Sequence, residues 1–332
     1  MNKLAAFTDD TASWALIEGE ALATLAKLPD ACIDAVVTDP PYGIGFNDEA
    51  WDGTDIRSAM NRSSTGDAFE RWTENWAREC ARVLKPGGHL LAFGAPRTFH
   101  RLVAGVERSG LEVRDQLLWL YAQGMPKSRR LPGGLGTALK PAYEPILLAR
   151  KSLEGRTTDN LTSFGTGALN IGAGRVGDAE HWPAHMVLSH SESCSDSACS
   201  LDCPAGEIDR ASAPRHISRL FFCAKATRAE REAGCEQLPE RSATLFAGPT
   251  RPLRVRRNSH PTVKPLALMR WLVALVTPPS GLVLDPFSGS GSTGAAAVLE
   301  KHRYLGIERE EDYVDIACAR LTHWANCAES ER

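Results

Sequence analysis

The chain has 332 residues, 43% apolar and 24% charged, enough for one large domain or a core domain carrying an insertion. A net charge of −3 excludes a global basic field, so any affinity for a polyanion must come from local charge. A polar N-terminus, no apolar run long enough for a bilayer and an odd total of nine cysteines point to a soluble, cytoplasmic protein with no membrane partner.

Trp14 to Glu20 reads as a strand ending in an acid, Ala21 to Leu28 as a short helix stopped by Pro29, and Ile33 to Asp39 as a second, β-branched strand. Two strands joined by a helix form a parallel unit whose ligands gather at the strands' C-terminal ends. Glu20 and Asp39 are therefore expected at one sheet edge. The segment Asp39-Pro40-Pro41-Tyr42 puts a carboxylate and a ring there. Pro40 and Pro41 fix the backbone and withhold two N–H donors, leaving carbonyls to accept. Carboxylate, carbonyl and flat ring together suit the grip of a planar group that carries an exocyclic amine.

Gly43 to Gly66, rich in Gly, Asn, Asp and Ser, is expected to be a mobile loop. Phe69, Trp72, Trp76, Cys80 and Leu84 recur at helical spacing and predict a helix whose aromatics face the core. Lys85 to Gly88 reads as a turn into a buried strand, His89 to Gly94, and Phe99 to Ser109 as a helix. Val113 to Gln123 and Glu144 to Lys151 predict an antiparallel pair at a sheet edge.

Charge is uneven. Residues 123–151 hold six Lys/Arg against one acid, and 210–258 hold eleven against four. Such stretches in a slightly acidic protein fit an electrostatic path for a polyanion; Lys127, Arg129, Arg130, Arg254, Arg256 and Arg257 are the candidate contacts. Residues 152–258 lack long apolar runs and read as an insertion. Within it, His190, Cys194, Cys199 and Cys203 supply four zinc-type ligands in fourteen residues, a candidate structural zinc site in a segment with little core of its own.

Regular structure is expected to resume at His260-Pro261-Thr262-Val263-Lys264-Pro265, followed by a helix from Leu266 to Val276. Leu282 to Phe287 reads as a strand, Ser288 to Gly294 as a Gly-rich turn, Ala295 to Lys301 as a helix, and Tyr304 to Glu308 as a strand ending in an acid. An amphipathic helix, Asp312 to Trp324, closes the chain. A strand, Gly-rich turn, helix and strand with a terminal acid form the βαβ arrangement that binds an adenosine-type cofactor. The turn is neither the dinucleotide pattern G-x-G-x-x-G nor a P-loop, which favours a cofactor without pyrophosphate, such as S-adenosylmethionine.

Asp39-Pro40-Pro41-Tyr42 and Asp285-Pro286-Phe287-Ser288-Gly289-Ser290-Gly291 resemble the catalytic and cofactor motifs of the amino-methyltransferases that modify DNA. Their order, catalytic motif first and cofactor motif last, is similar to the β-class permutation of that family. The resemblance covers about 1–151 and 259–332. It implies a Rossmann-like class I methyltransferase fold, α/β with a mostly parallel twisted sheet, an antiparallel edge hairpin and an inserted target-recognition region at 152–258. Carried over by motif, Glu20 contacts the cofactor's adenine and Glu308 its ribose. Phe287, Gly289, Ser290, Gly291 and Thr293 line the turn, and His260, Pro261, Thr262 and Lys264 lie beside the methionine moiety.

The resemblance also implies double-stranded DNA as partner, with a cognate restriction endonuclease as companion, and a monomer or homodimer. An acid at position 39 accompanies adenine more often than cytosine in that family. N4 of cytosine is the first alternative target. RNA, a protein amide and a non-catalytic DNA-binding subunit are more distant readings. No cysteine directly follows a proline, which argues against methylation of a ring carbon.

Overall fold

The computed structural model describes residues 12–46, 49–59, 65–121, 131–175, 182–189, 203–212, 222–223, 227–243 and 254–330. Its strands in chain order are β1 (Trp14–Glu18), β2 (Ile33–Thr38), β3 (Leu84–Phe93), β4 (Glu112–Leu120), β5 (Tyr143–Arg150) and β6 (Met186–Ser189). They continue with β7 (Phe222–Cys223), β8 (Arg241–Ala243), β9 (Arg254–Arg256), β10 (Leu282–Asp285) and β11 (Arg303–Glu308). Nine of them form one sheet in the order β1-β11-β10-β2-β3-β5-β4-β6-β7, while β8 and β9 make a separate ribbon.

The sheet is parallel from β1 through β3, and β5 runs antiparallel to both of its neighbours, β3 and β4. The expected antiparallel pair is thus present. The sheet runs past it, because β6 and then β7 add in parallel beyond β4. Both short strands come from the 152–258 segment, so this segment completes the sheet.

Alternation along the central strands shows why both faces are covered. Val36, Leu90 and Ala92 pack into one core, and Ala35, Val37, Leu91 and Phe93 into the other. Three helices supply the first core: α1 (Ala21–Leu25), α2 (Thr65–Val83) and α3 (Phe99–Arg108), with Trp76, Cys80 and Leu102 fully buried. The second core is built by α4 (Leu266–Val276), α5 (Ser292–Leu299) and α6 (Glu311–Ser330), through Leu268, Leu272, Ala295 and Leu321. The result is a three-layer α/β/α domain. Among the described residues no helix is long and apolar enough to cross a membrane.

Two local expectations need correction. Lys85 to Gly88 is the irregular start of β3, where the register against β2 shifts between Ile33 and Ala35. The described residues from Gly43 to Ala59 are also not a free loop. Asp52, 1% exposed, accepts the backbone N–H groups of Tyr42, Gly43, Ile44 and Phe46 at 2.5, 2.8, 3.2 and 2.8 Å. One buried carboxylate thereby folds the chain that leaves the Asp39–Tyr42 motif, and a short helix, Thr54–Ala59, follows.

Candidate active site

β2 and β10 lie side by side, with Ala35 against Val283 and Val36 against Leu284, so Asp39 and Asp285 emerge together at the C-terminal edge. Thr38 Oγ1 donates to Asp285 Oδ1 at 2.7 Å and ties the two strand ends. A cleft of about 1380 Å³ opens above them, lined by Asp39 to Tyr42 on one side and Asp285 to Ser290 on the other.

The Gly-rich turn is held from three directions. Gly289 N–H donates to Glu308 Oε2 at 2.7 Å, and the same carboxylate receives the N–H groups of Arg309 and Glu310, both at 2.9 Å. Burial raises the Glu308 carboxyl above the ordinary range, against the pull of those three donors. Arg320, fully buried on α6, donates to the Ser290 carbonyl at 2.5 Å and to Ser292 Oγ at 3.2 Å. Phe287 is wedged against Trp72 and Trp76, with ring centroids 5.3 and 5.6 Å away. Trp72 therefore lines the cleft as well as the core.

Gly289 is required by both backbone and space. Its φ is +51°, and a Cβ there would lie 2.6 Å from His260 Nε2. Burial first, then the nearby Lys264, Arg231 and Arg320 charges, lower the His260 pKa to about 3. The ring is neutral, and its Nδ1 accepts from Thr262 N–H at 3.3 Å, which leaves the proton on Nε2, facing the turn. The close backbone at Gly289, the aromatic Phe287 and the acid Glu308 at the next strand end fit an adenosine-type cofactor without pyrophosphate.

Asp285 is 1% exposed, and burial pushes its carboxyl up to about 7 despite bonds from Thr38, Thr293 and the Phe287 N–H. A carboxyl whose pKa is higher in the folded state than in the unfolded chain contributes stability that is complete below the unfolded value. That stability is lost as pH rises through about 7. Asp285→Asn, which does not titrate, is therefore expected to gain about 2 to 3 kcal/mol relative to the parent between pH 5 and pH 8. Thermal melts of both proteins at the two pH values check this. The difference isolates Asp285 from His260 and His89, whose lowered pKa values act in the opposite sense as pH falls.

Across the cleft the side chains form a cluster that the sequence reading only half contains. Tyr42 Oη lies 2.6 Å from Asp39 Oδ1 and 2.9 Å from Glu144 Oε2. Lys264 Nζ donates to Asp39 Oδ2 at 2.5 Å and to Tyr42 Oη at 3.2 Å, and lies 3.3 Å from Glu144 Oε2. Its side chain is 6% exposed, and the ammonium sits 4.8 Å from the centre of the Phe93 ring. Burial works against that charge, but Asp39 and Glu144 outweigh it and raise the lysine's pKa.

Lys264 thus lies on the carboxylate of the Asp39 motif while it also lines the cleft shared with the Gly289 turn. Lys264→Met is expected to slow turnover at least about tenfold while cofactor affinity stays within about threefold, because its contacts are to Asp39, Tyr42 and Glu144. Calorimetric titration of the cofactor beside steady-state rates checks the split. Glu144 was missed because no local pattern marks it. It opens β5, and an antiparallel strand begins at the edge where its parallel neighbours end; that topology was the signal available.

Other expected site residues fall as follows. Pro40, Pro41, Pro286, Ser288, Thr262 and Thr293 all line the cleft. Gly291, with φ +73°, is the N-cap of α5. Glu20 also borders the cleft, but the strand before it ends at Glu18, and Glu20 caps α1 by accepting from Ala23 N–H at 2.8 Å. Arg257 is committed to the carbonyls of Glu236 and Leu238, both at 2.9 Å, and to Glu240, so it braces the 232–240 turn. Arg254 and Arg256 belong to β9, paired with β8.

Lys127, Arg129, Arg130, His190, Cys194 and Cys199 lie outside the described residues. Cys203 is buried, and its sulfur accepts from Gly206 N–H at 3.5 Å. Among the described residues no group of three or more His, Cys, Asp or Glu is placed to hold a metal.

Comparison with known proteins agrees with this geometry. A family model described as DNA methylase, of the N6/N4 type, matches residues 33–319. The type II methyltransferase M.HindIII of Haemophilus influenzae is 24% identical over 92% of this chain and 94% of its own length. M.HinfI, from the same species, is 22% identical over 92% of this chain and 67% of its own. Among solved structures, the cytosine-N4-specific PvuII DNA methyltransferase superposes with a TM-score of 0.58 at 16% identity, covering 97% of this chain and 94% of that one. TTHA0409 from Thermus thermophilus, complexed with S-adenosyl-L-methionine, gives 0.50 at 19% identity, covering 95% and 96%.

Proposed function

The chain belongs to the DNA methylase family of the N6/N4 type, and from that premise we propose that it methylates the exocyclic amino group of adenine in duplex DNA, with S-adenosylmethionine as donor. The observation that carries this reading is the meeting of Asp39 and the Gly289 turn in one cleft, on neighbouring parallel strands. Asp39 and the Pro40 carbonyl accept the two N–H bonds of the amine. That favours a pyramidal nitrogen and aims its lone pair across the cleft. Tyr42 stacks on a base turned out of the duplex. Glu308, Phe287, Glu20 and the Gly289 backbone hold the cofactor, and the neutral His260 ring closes over the turn without adding positive charge there. When bound, S-adenosylmethionine supplies an electrophilic methyl group. Direct displacement then needs no covalent intermediate with the protein.

Asp39 favours adenine over cytosine N4. The insertion at 152–258 reads the target sequence, while its part at 227–243 also braces the site: Glu230 accepts from Leu266 N–H at 2.5 Å, and Arg231 donates to the His260 carbonyl at 3.1 Å. The basic stretches at 123–151 and 210–258 attract the phosphate backbone, so binding weakens steeply with salt. We place the enzyme in the cytoplasm, as a monomer or homodimer beside a cognate restriction endonuclease, with a structural zinc at 190–203. Labelled methyl transfer to long unmethylated duplex DNA, followed by nucleoside digestion and mass analysis, tests the reading. N6-methyladenine is expected; N4-methylcytosine would move the target to cytosine, and no label in DNA despite cofactor binding would overturn both.

A further inference from the structure

Tyr42 carries one hydroxyl proton, yet its oxygen lies within hydrogen-bond distance of two carboxylates, Asp39 Oδ1 at 2.6 Å and Glu144 Oε2 at 2.9 Å. The phenolic O–H makes one of these contacts. The other brings a carboxylate oxygen up to a phenol oxygen without a phenol proton between them, and the shared Lys264 ammonium holds the oxygens together. Fully ionised, the four groups carry two negative charges against one positive. One added proton makes them neutral in a pocket where the Asp39 and Glu144 side chains are only 19% and 22% exposed. The cluster can therefore take up one proton, with Tyr42 bridging the two carboxylates.

We infer that Glu144 is the terminal acceptor of the proton released on methylation of the amine, reached from Asp39 through the Tyr42 hydroxyl. The inference rests on the proposed amino-methyl transfer. In that reaction the amine nitrogen bonds the methyl carbon as the carbon–sulfur bond breaks, and the electron pair of that bond goes to sulfur. The nitrogen, now positive, gives one proton to Asp39 Oδ1. That proton moves to the Tyr42 oxygen as Tyr42 passes its own to Glu144 Oε2. Asp39 ends ionised, the phenol is restored, and Glu144 is neutral and able to lose its proton to the open cleft. Burial and the two carboxylates hold the Tyr42 pKa well above its ordinary value, so the phenol keeps its proton as a conduit. Tyr121, just after β4, also interacts with Glu144; its own pKa is raised by burial and by that carboxylate, so it stays neutral. Asp285 and His260 border the cluster through Asp39 and Lys264. Glu144 acts through Tyr42 and is a positioning residue of the reaction.

Two measurements test this. Single-turnover transfer to long unmethylated duplex DNA is followed as a function of pH for the parent, Glu144→Gln and Tyr42→Phe. Infrared spectra of the ligand-free proteins follow carboxyl protonation over the same range. The parent rate is expected to rise with pH, because the relay needs its terminal acceptor ionised. Glu144→Gln should be slower by about 10²-fold, with that limb gone and cofactor affinity unchanged. In the infrared, both proteins should show the Asp285 carboxyl, and a second carboxyl band of the parent should be missing from Glu144→Gln. Tyr42→Phe severs the path with both carboxylates in place and should lose the same limb, which keeps the test alive if Glu144→Gln does not fold. A rate and pH profile for Glu144→Gln matching the parent would overturn the relay alone. A parent that never labels DNA would remove the proposed reaction and the relay together.

Discussion

Asp39→Ala is expected to lower the rate of methyl transfer by about 10³-fold while leaving the affinity for S-adenosylmethionine within about twofold. In the proposed reaction the carboxylate accepts from the target amine, and in the structure it organises its surroundings: Oδ1 meets the Tyr42 hydroxyl and Oδ2 the Lys264 ammonium. Truncation removes the acceptor and leaves a lysine that is 6% exposed with Glu144 as its one remaining carboxylate, 3.3 Å away. The groups that hold the cofactor turn, Glu308 and Arg320, reach it from β11 and α6 and do not depend on Asp39. Asp39→Asn keeps one acceptor oxygen and should fall between the parent and the alanine variant. Single-turnover labelling with calorimetric titration of the cofactor separates the two effects. Near-normal turnover in Asp39→Ala would take the amine grip away from this residue.

The second large effect is expected at Asp52, which touches no reacting atom. Its carboxylate gathers four backbone N–H groups, one of them from Tyr42 and one from the buried Gly43. Asp52→Ala strands these donors in a site where solvent reaches them poorly, and should destabilise the fold by about 3 kcal/mol. The same change releases the backbone of Tyr42, so turnover should drop by at least about tenfold. Urea unfolding with an unchanged slope and a lowered midpoint would show the first effect, and rates on the folded fraction the second. Asp52→Asn, with one oxygen left to accept, should be milder on both counts. If Asp52→Ala melts like the parent, the turn after the motif is held by something other than this carboxylate.

These two residues illustrate what the sequence reveals and what it hides. Asp39 was legible because its signal is local: a β-branched strand, then an acid, two prolines and an aromatic. The Gly289 turn was legible for the same reason, and the helix from Leu266 to Val276 fell where its apolar run placed it. Asp52 was not, because its partners lie six to ten residues upstream and no helical or strand period links them. Glu144 and Lys264 join Asp39 from 105 and 225 positions away, distances that only the folded sheet closes. The segment from His260 to Lys264 serves both halves of the cleft, which its local pattern does not show. His260 packs on the Gly289 turn, and four residues later Lys264 has crossed to the Asp39 carboxylate. β6 and β7, four and two residues long, are too short for alternation to reveal. The order of the sheet was hidden as well, since β1 and β2 follow each other in the chain yet are separated by β11 and β10.

That separation has a consequence for synthesis. β1 pairs with β11, Trp14 against Tyr304, and β2 pairs with β10 on the side away from β3. A nascent chain therefore carries β1 without a partner, and one edge of β2 open, until residues 282–308 have left the ribosome. Pairings of such long span close slowly, and open apolar edges invite aggregation while they wait. The Gly289 side of the cleft is made of those last strands. A chain interrupted before them would present the Asp39 motif without the turn it faces, and would be held from activity by translation itself.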